Sequence, residues 1–271
     1  MWQIGKLLFA DSPKEEEITL SCQSVDLNAQ EVLSCVLKRN VYAVGDDKVP
    51  LRGFVTFLTD NILVMPRHYL IVWRNLLRDY PDLHVTLRRL GDGSNHQIIR
   101  FHAKYIVSDI VVCGKEDLVA VYLGGRVVQR HASIRKYLGS SKRPSGDVYF
   151  PKVDRSSLKY ELIAAPYQHH GPVSYEVSGE KLGVGNPISY RFKTEIGDCG
   201  LPVSRKDPFE RCEKICGIHV SGSPKLSLGV ATPLTQTMYD EIVLAFAKKH
   251  DLIEAQYRYE ADVILRMTDV S

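Results

Sequence analysis

No stretch of this sequence stays apolar for the roughly 20 residues that a membrane-spanning helix requires, so no helical span is expected. Methionine (4) and tryptophan (2) are scarce. Charge of either sign is not in excess. The 35 Lys and Arg against 32 Asp and Glu leave a net +3, far short of the field that marks a dedicated nucleic-acid binder. The opening residues lack the long apolar core of a secretion signal, and Glu15, Glu16 and Glu17 follow. Cysteines stand at Cys22, Cys35, Cys113, Cys199, Cys212 and Cys216 without a repeating framework. An even number leaves disulfides open by counting, but with no secretion signal the expectation is an intracellular protein with free thiols.

What is present is an ordinary globular composition, 44% hydrophobic and 25% charged over 271 residues. That is enough for one large domain or two small ones. Residues 1–40 are ambiguous: Ile18 to Leu27 alternates loosely, and Glu31 to Leu37 fits a short helix or a strand. Leu51 to Leu58 reads as a strand, Thr59-Asp60-Asn61 as a turn and Ile62 to Met65 as the return strand. Pro66 ends that ladder, and Leu70, Trp73, Leu76, Leu77 and Tyr80 then follow helical spacing. Further strands are expected at 83–87, 96–107, 111–113 and 118–123, and after residue 147 at 147–153, 158–165, 173–177, 188–193, 214–220 and 226–231. Short strands separated by Gly and Pro point to barrels or sandwiches. The polar, basic run from His131 to Asp147 reads as the connection between two halves. Thr237 is expected to cap a closing helix that carries Asp240, Ile242, Val243 and Phe246.

Chemistry concentrates between Tyr190 and Gly222. Cys199 stands between Gly197 and Gly200. Glycines allow a tight turn whose successive N–H groups can converge on a developing oxyanion, and a thiol there becomes a nucleophile once a base takes its proton. His68, just past a strand end, is the best placed of nine histidines to be that base. Glu116 or Asp117, at the mouth of an apolar strand, could orient it. Strand alternation lets only one of the two face the cleft, and Asp117 is favoured because it directly precedes the apolar run. A zinc site from Cys212, Cys216, His219 and Cys199 is the competing reading, although the spacing is not that of a standard finger.

Gly197-Asp198-Cys199-Gly200-Leu201-Pro202 resembles the nucleophile turn of chymotrypsin-like proteases with cysteine in place of serine. With Gly217-Ile-His219-Val-Ser-Gly222 and Val64-Met65-Pro66-Arg67-His68 it is similar to the picornavirus-like 3C cysteine proteases, the picornains, including those of dicistroviruses. The resemblance spans roughly residues 50–235 in the order His, acid, Cys. It implies an all-β dominated fold of two six-stranded antiparallel barrels with a few short helices and a C-terminal helix. The parts would be 1–138 (leading segment and N-terminal barrel), 139–146 (linker), 147–235 (C-terminal barrel) and 236–271 (helix and tail). It implies a catalytic set of His68, Asp117 and Cys199, an oxyanion hole from the main chain of Gly197 and Cys199 with Asp198 as a third donor, and glutamine recognition by Thr194 and His219. No metal or organic cofactor is implied. The implied substrate is a viral polyprotein in the host cell cytoplasm. Arg130, Arg135 and Lys136 stand where the family's RNA-binding segment lies, so viral RNA is a second expected partner, and an RNA-binding module with a lost protease activity is the alternative function. The chain departs from the family at Asp198, where many relatives carry glutamine. A carboxylate there would oppose a thiolate unless it is turned away or paired.

Overall fold

The structure, a computed structural model, describes residues 28–46, 53–91, 98–114, 116–126, 130–140, 145–207 and 212–250. The alternating segment 18–27, residues 141–144 of the expected linker and the tail from residue 251 lie outside the described residues.

Helix α1 (Ala29–Asn40) begins at a capping box: the Asn28 side chain accepts from the Glu31 N–H at 3.0 Å, and the Glu31 carboxylate accepts from the Asn28 N–H at 3.0 Å. This decides the ambiguous Glu31–Leu37 segment in favour of helix. Val32, Leu33, Val36 and Leu37 form its buried stripe.

The strands of the first half are β1 (Val41–Asp46), β2 (Gly53–Thr59), β3 (Ile62–Met65), β4 (His84–Arg89), β5 (Ile98–His102), β6 (Ile110–Val112) and β7 (Val119–Tyr122), with α2 (Arg67–Asp79) and the short α3 (Lys104–Ser108) between them. They pair in the order β5-β4-β1-β2-β3-β7-β6, every ladder antiparallel. The second half contributes β8 (Ser145–Asp154), β9 (Lys159–Ala165), β10 (Tyr167–Gln168), β11 (Val173–Val177), β12 (Glu180–Val184), β13 (Ile188–Arg191), β14 (Pro202–Asp207), β15 (Cys212–Ser223) and β16 (Leu228–Pro233), followed by α4 (Gln236–His250). Its sheet runs β10-β13-β16-β15-β14-β8-β9, while β11 and β12 form a separate two-stranded ribbon. The architecture is therefore two curled antiparallel sheets, each of seven strands where six were expected.

The central strands show no polar alternation because both of their faces are buried. Along β2, Phe54 and Leu58 join the core between the halves, whereas Val55 and Phe57 fill the interior of the first sheet. Ile62 and Val64 against Leu63 and Met65, and Leu118 and Ala120 against Val119 and Val121, divide in the same way. Each of these side chains larger than alanine contributes about 1.5–3 kcal/mol by leaving water. The first sheet is thereby fixed against α1, the second sheet and α4 through one continuous apolar cluster.

Two sequence expectations are corrected. The run expected as one strand over 96–107 is β5 followed by α3: Ala103, at φ −57°, turns the chain into the helix. At α4 the capping side chain is Thr235, whose hydroxyl accepts from the Met238 N–H at 3.3 Å, not Thr237. Asp240 instead takes a bidentate pair from Arg135 at 2.7 and 2.8 Å.

The connection between the halves is anchored along residues 130–140. His131 is buried, stacks on Phe57 at 3.7 Å, and bonds the Asp60 carbonyl and the Tyr42 hydroxyl. Leu138 makes a parallel bridge with Ile215, and Lys214 reaches the Lys136 carbonyl at 2.8 Å. Arg135, expected as a phosphate contact, is held by Asp240 in the ion pair described above.

Candidate active site

Helix α2 starts at Arg67 directly after Pro66, whose fixed φ of −56° suits the residue ahead of a helix and whose missing N–H costs nothing there. This places His68 in the first turn, at the end of β3. Asp117 arrives from the start of β7, the strand paired to β3 through Met65 and Val119. The two meet: His68 Nδ1 lies 2.6 Å from Asp117 Oδ2, and the His68 main-chain N–H donates to Asp117 Oδ1 at 2.9 Å. Asp117 is fully buried, while the His68 side chain keeps 15% of its surface. A buried carboxylate is tolerated only when its oxygens are satisfied. Here a third donor completes the set, the Tyr175 hydroxyl on Asp117 Oδ2.

Glu116 faces elsewhere. Its carboxylate accepts from the Gly185 N–H at 3.0 Å and the Thr232 hydroxyl at 3.4 Å, both in the second half. Of the two candidate acids, Asp117 alone meets a histidine.

The turn carrying Cys199 is built as the glycines foretold. Gly197 has φ +98° and Gly200 φ +93°. Three bonds from the first sheet and α2 hold it: the Phe54 N–H and the Tyr69 hydroxyl both donate to the Cys199 carbonyl, at 2.9 and 2.7 Å, and the Thr56 hydroxyl reaches the Gly200 carbonyl at 3.3 Å. Tyr69 is the neighbour of His68 and packs edge-on to its ring at 4.9 Å. One side chain thus ties the helix of the histidine to the main chain of the cysteine.

The expected oxyanion donors divide. The Asp198 N–H donates to the Glu195 carbonyl at 3.1 Å inside the turn, which takes it out of the set. The Gly197 and Cys199 N–H groups engage no other residue among those described. The Asp198 carboxylate is paired: it accepts from the Glu195 N–H at 2.7 Å and lies 3.5 Å from the Arg155 guanidinium, yet its charge still opposes a Cys199 thiolate. Arg155 also donates to the Ile196 carbonyl at 3.0 Å and stacks over Phe54.

The Cys199 thiol is pushed up to about 12, first by burial, then by the charges of Asp117 and Asp198; its own N–H and Arg155 pull the other way. At neutral pH it is a thiol, and it points at the Val220 carbonyl 3.2 Å away.

His219 lies on β15, almost fully buried, with Nδ1 2.7 Å from the Tyr190 hydroxyl and its ring edge-on to Phe150. Burial, followed by the nearby His68 charge, lowers it to about 3, against a weaker pull from the Val230 main chain. It is neutral throughout the working range. Thr194 is buried against Gly222, where any Cβ would overlap its hydroxyl. The zinc reading gains no geometry, since the Cys216 thiol points at the Val203 carbonyl at 3.6 Å and His219 at Tyr190. Among the described residues no group of three His, Cys, Asp or Glu side chains is arranged to hold a metal ion. The Cys212 side chain lies outside the described residues.

Sequence reasoning missed Tyr69, Arg155, Tyr175 and Tyr190. Only Tyr69 carried a local signal, its adjacency to His68. The others reach the site through chain separations of tens of residues.

No family profile matches the sequence, and no curated protein matches it. Solved structures match by fold. A mutant of tobacco etch virus protease superposes with TM-score 0.53 at 9% identity, covering 79% of this chain and 80% of that one. The catalytically active tobacco etch virus protease complexed with product gives TM-score 0.51 at 9% identity, covering 76% and 77%. Deg5 gives TM-score 0.50 at 11% identity, covering 77% and 91%. The chain has the chymotrypsin-like protease fold, in which His68 meets Asp117 and the Cys199 turn is tied to the helix of His68 through Tyr69.

Proposed function

We propose that the protein is a cysteine endopeptidase that cleaves a viral polyprotein after glutamine. The observation that carries this is the buried Asp117 carboxylate holding His68 Nδ1 at 2.6 Å beside a glycine-framed cysteine turn. With Nδ1–H donated to Asp117, Nε2 is the basic nitrogen of His68. Because Cys199 rests as a thiol, the proton passes to His68 as the sulfur attacks the peptide carbonyl, rather than beforehand. The Gly197 and Cys199 N–H groups stabilise the oxyanion. His68 then protonates the leaving amine, and water hydrolyses the thioester through the same base.

Substrate placement follows from β15. Its ladder with β14 ends at Ile218, the His219 main chain still bonds Gly200 and Leu201, and beyond it β15 continues to Ser223 with β16 as its ladder partner. The edge beyond His219 can accept an extended peptide as an added strand. We place the Tyr190 hydroxyl as the donor to His219 Nδ1, so that the His219 proton sits on Nε2, where a glutamine amide oxygen would take it in competition with the Val230 main chain, beside Thr194. A neutral donor does not favour glutamate over glutamine.

The direct test is a matched peptide pair with Gln or Ala before the scissile bond. Wild type is expected to cut the Gln peptide at least about 100-fold faster, and Cys199→Ala to cut neither. Equal cleavage of both peptides would sink the glutamine pocket but leave the peptidase. The pH behaviour of the pocket gives a second expectation. A lowered histidine loses neutrality only as pH falls toward about 3. The Gln-over-Glu preference should therefore stay flat from pH 8 to about pH 5.5, where an ordinary histidine near 6.5 would already have charged and raised cleavage of the Glu peptide.

A further inference from the structure

Tyr175 belongs to neither large sheet. It stands on β11, in the ribbon that pairs Val173–Val177 with Glu180–Val184. The root of that ribbon packs on the second half: Val173 and Val184 meet Val220, Leu228 and Val230. Its tyrosine nonetheless reaches an acid of the first half, donating to the same Asp117 oxygen that faces His68 Nδ1. The Tyr175 ring lies edge-on to His68 at 6.4 Å.

We propose that Tyr175 is a positioning residue for His68, acting through Asp117, and that its hydroxyl latches the β11–β12 ribbon across the cleft. This rests on the peptidase reading for its catalytic consequence, not for its geometry. A carboxylate with one oxygen held by the His68 N–H and the other shared by two donors cannot turn about its Cβ–Cγ bond without breaking a buried bond. Without the hydroxyl, Oδ2 keeps a single partner, and the carboxylate plane is free to swing out of line with Nδ1–H. The His68 tautomer that leaves Nε2 basic is then held less firmly. The phenol is suited to constant donation, because burial and the adjacent Asp117 charge both keep its proton on.

Tyr175→Phe keeps the ring and removes only the hydroxyl. In peptide cleavage it is expected to lower kcat about 10-fold with KM within twofold, whereas loss of ribbon packing alone would raise KM. The ¹⁵N imidazole shifts of His68, assigned by comparison with His68→Gln and recorded in a Cys199→Ala background, need no turnover. Wild-type Tyr175 should show one dominant Nδ1–H tautomer, and Tyr175→Phe a mixture. Unchanged tautomer populations in Tyr175→Phe would overturn the proposal whatever the kinetics. If the populations shift while the wild type cuts no peptide, the positioning role stands and the peptidase reading fails.

Discussion

Asp117→Asn should lose about three to four orders of magnitude in kcat, the scale on which a histidine base depends on its partner acid, while Glu116→Gln stays within a few-fold of wild type. The two acids are neighbours in sequence and differ in what they face. Asp117 meets only donors: the His68 N–H, His68 Nδ1–H and the Tyr175 O–H. An asparagine brings one acceptor and one NH2 group to a site that needs two acceptors. If its NH2 faces Nδ1, the imidazole must flip its proton to Nε2, which can then no longer take a proton from Cys199. If its NH2 faces the His68 N–H, two buried donors oppose each other at about 1–3 kcal/mol of stability. Glu116 accepts from one amide and one hydroxyl, and a glutamine carbonyl can serve both. Steady-state cleavage of one peptide by the two variants, with thermal unfolding alongside, checks this. Equal losses in both, or activity retained in Asp117→Asn, would remove Asp117 from its assigned role.

The same pair shows how much of the site was legible in the sequence. Strand alternation established that one of Glu116 and Asp117 would face the cleft. Asp117 was favoured because it directly precedes the apolar strand; that Glu116 instead finds partners in Gly185 and Thr232 of the other half is a fact about tertiary pairing that no local pattern carries. His68 and Cys199 were legible because each sits beside a residue that punctuates the backbone: Pro66 before the helix, Gly197 and Gly200 around the turn. Tyr175 and Tyr190 carried no such mark. The strands that escaped notice fail for a related reason. β14 reads Pro-Val-Ser-Arg-Lys-Asp, with polar residues where a core strand should be apolar. Its Ser204 and Arg205 are buried all the same, and the Arg205 guanidinium donates to the Gly146 carbonyl and lies over Tyr167 at 3.8 Å. The 96–107 run failed because apolar residues continue from β5 into α3, and over so short a stretch period cannot separate strand from helix.

The largest structural effect is expected at Gly200. Its φ of +93° is one that residues with a Cβ rarely adopt. A Cβ there would overlap the Phe54 carbonyl. Space and angle both exclude a side chain, and the obstacle is backbone from the opposite sheet. That backbone is also what holds the cysteine turn, because the Phe54 N–H donates to the Cys199 carbonyl at 2.9 Å. On the other side the Gly200 N–H donates to the His219 carbonyl at 2.7 Å. Gly200→Ala must therefore push β2 and the cysteine turn apart or break the link to β15. We expect a stability loss of about 2–4 kcal/mol and a fall in peptide cleavage of at least about 100-fold at temperatures where the variant is folded. Two other glycines separate angle from space. Gly91 and Gly179 have φ of +127° and +82°, and a Cβ at either meets nothing within 4 Å. Alanine there should cost only the backbone strain, about 1–2 kcal/mol, and leave cleavage near wild type. Thermal unfolding and kcat/KM of the three variants measure both effects. A Gly200→Ala protein no less stable than Gly179→Ala would mean that the two sheets do not close on this turn as described, and that the cysteine is not held by them.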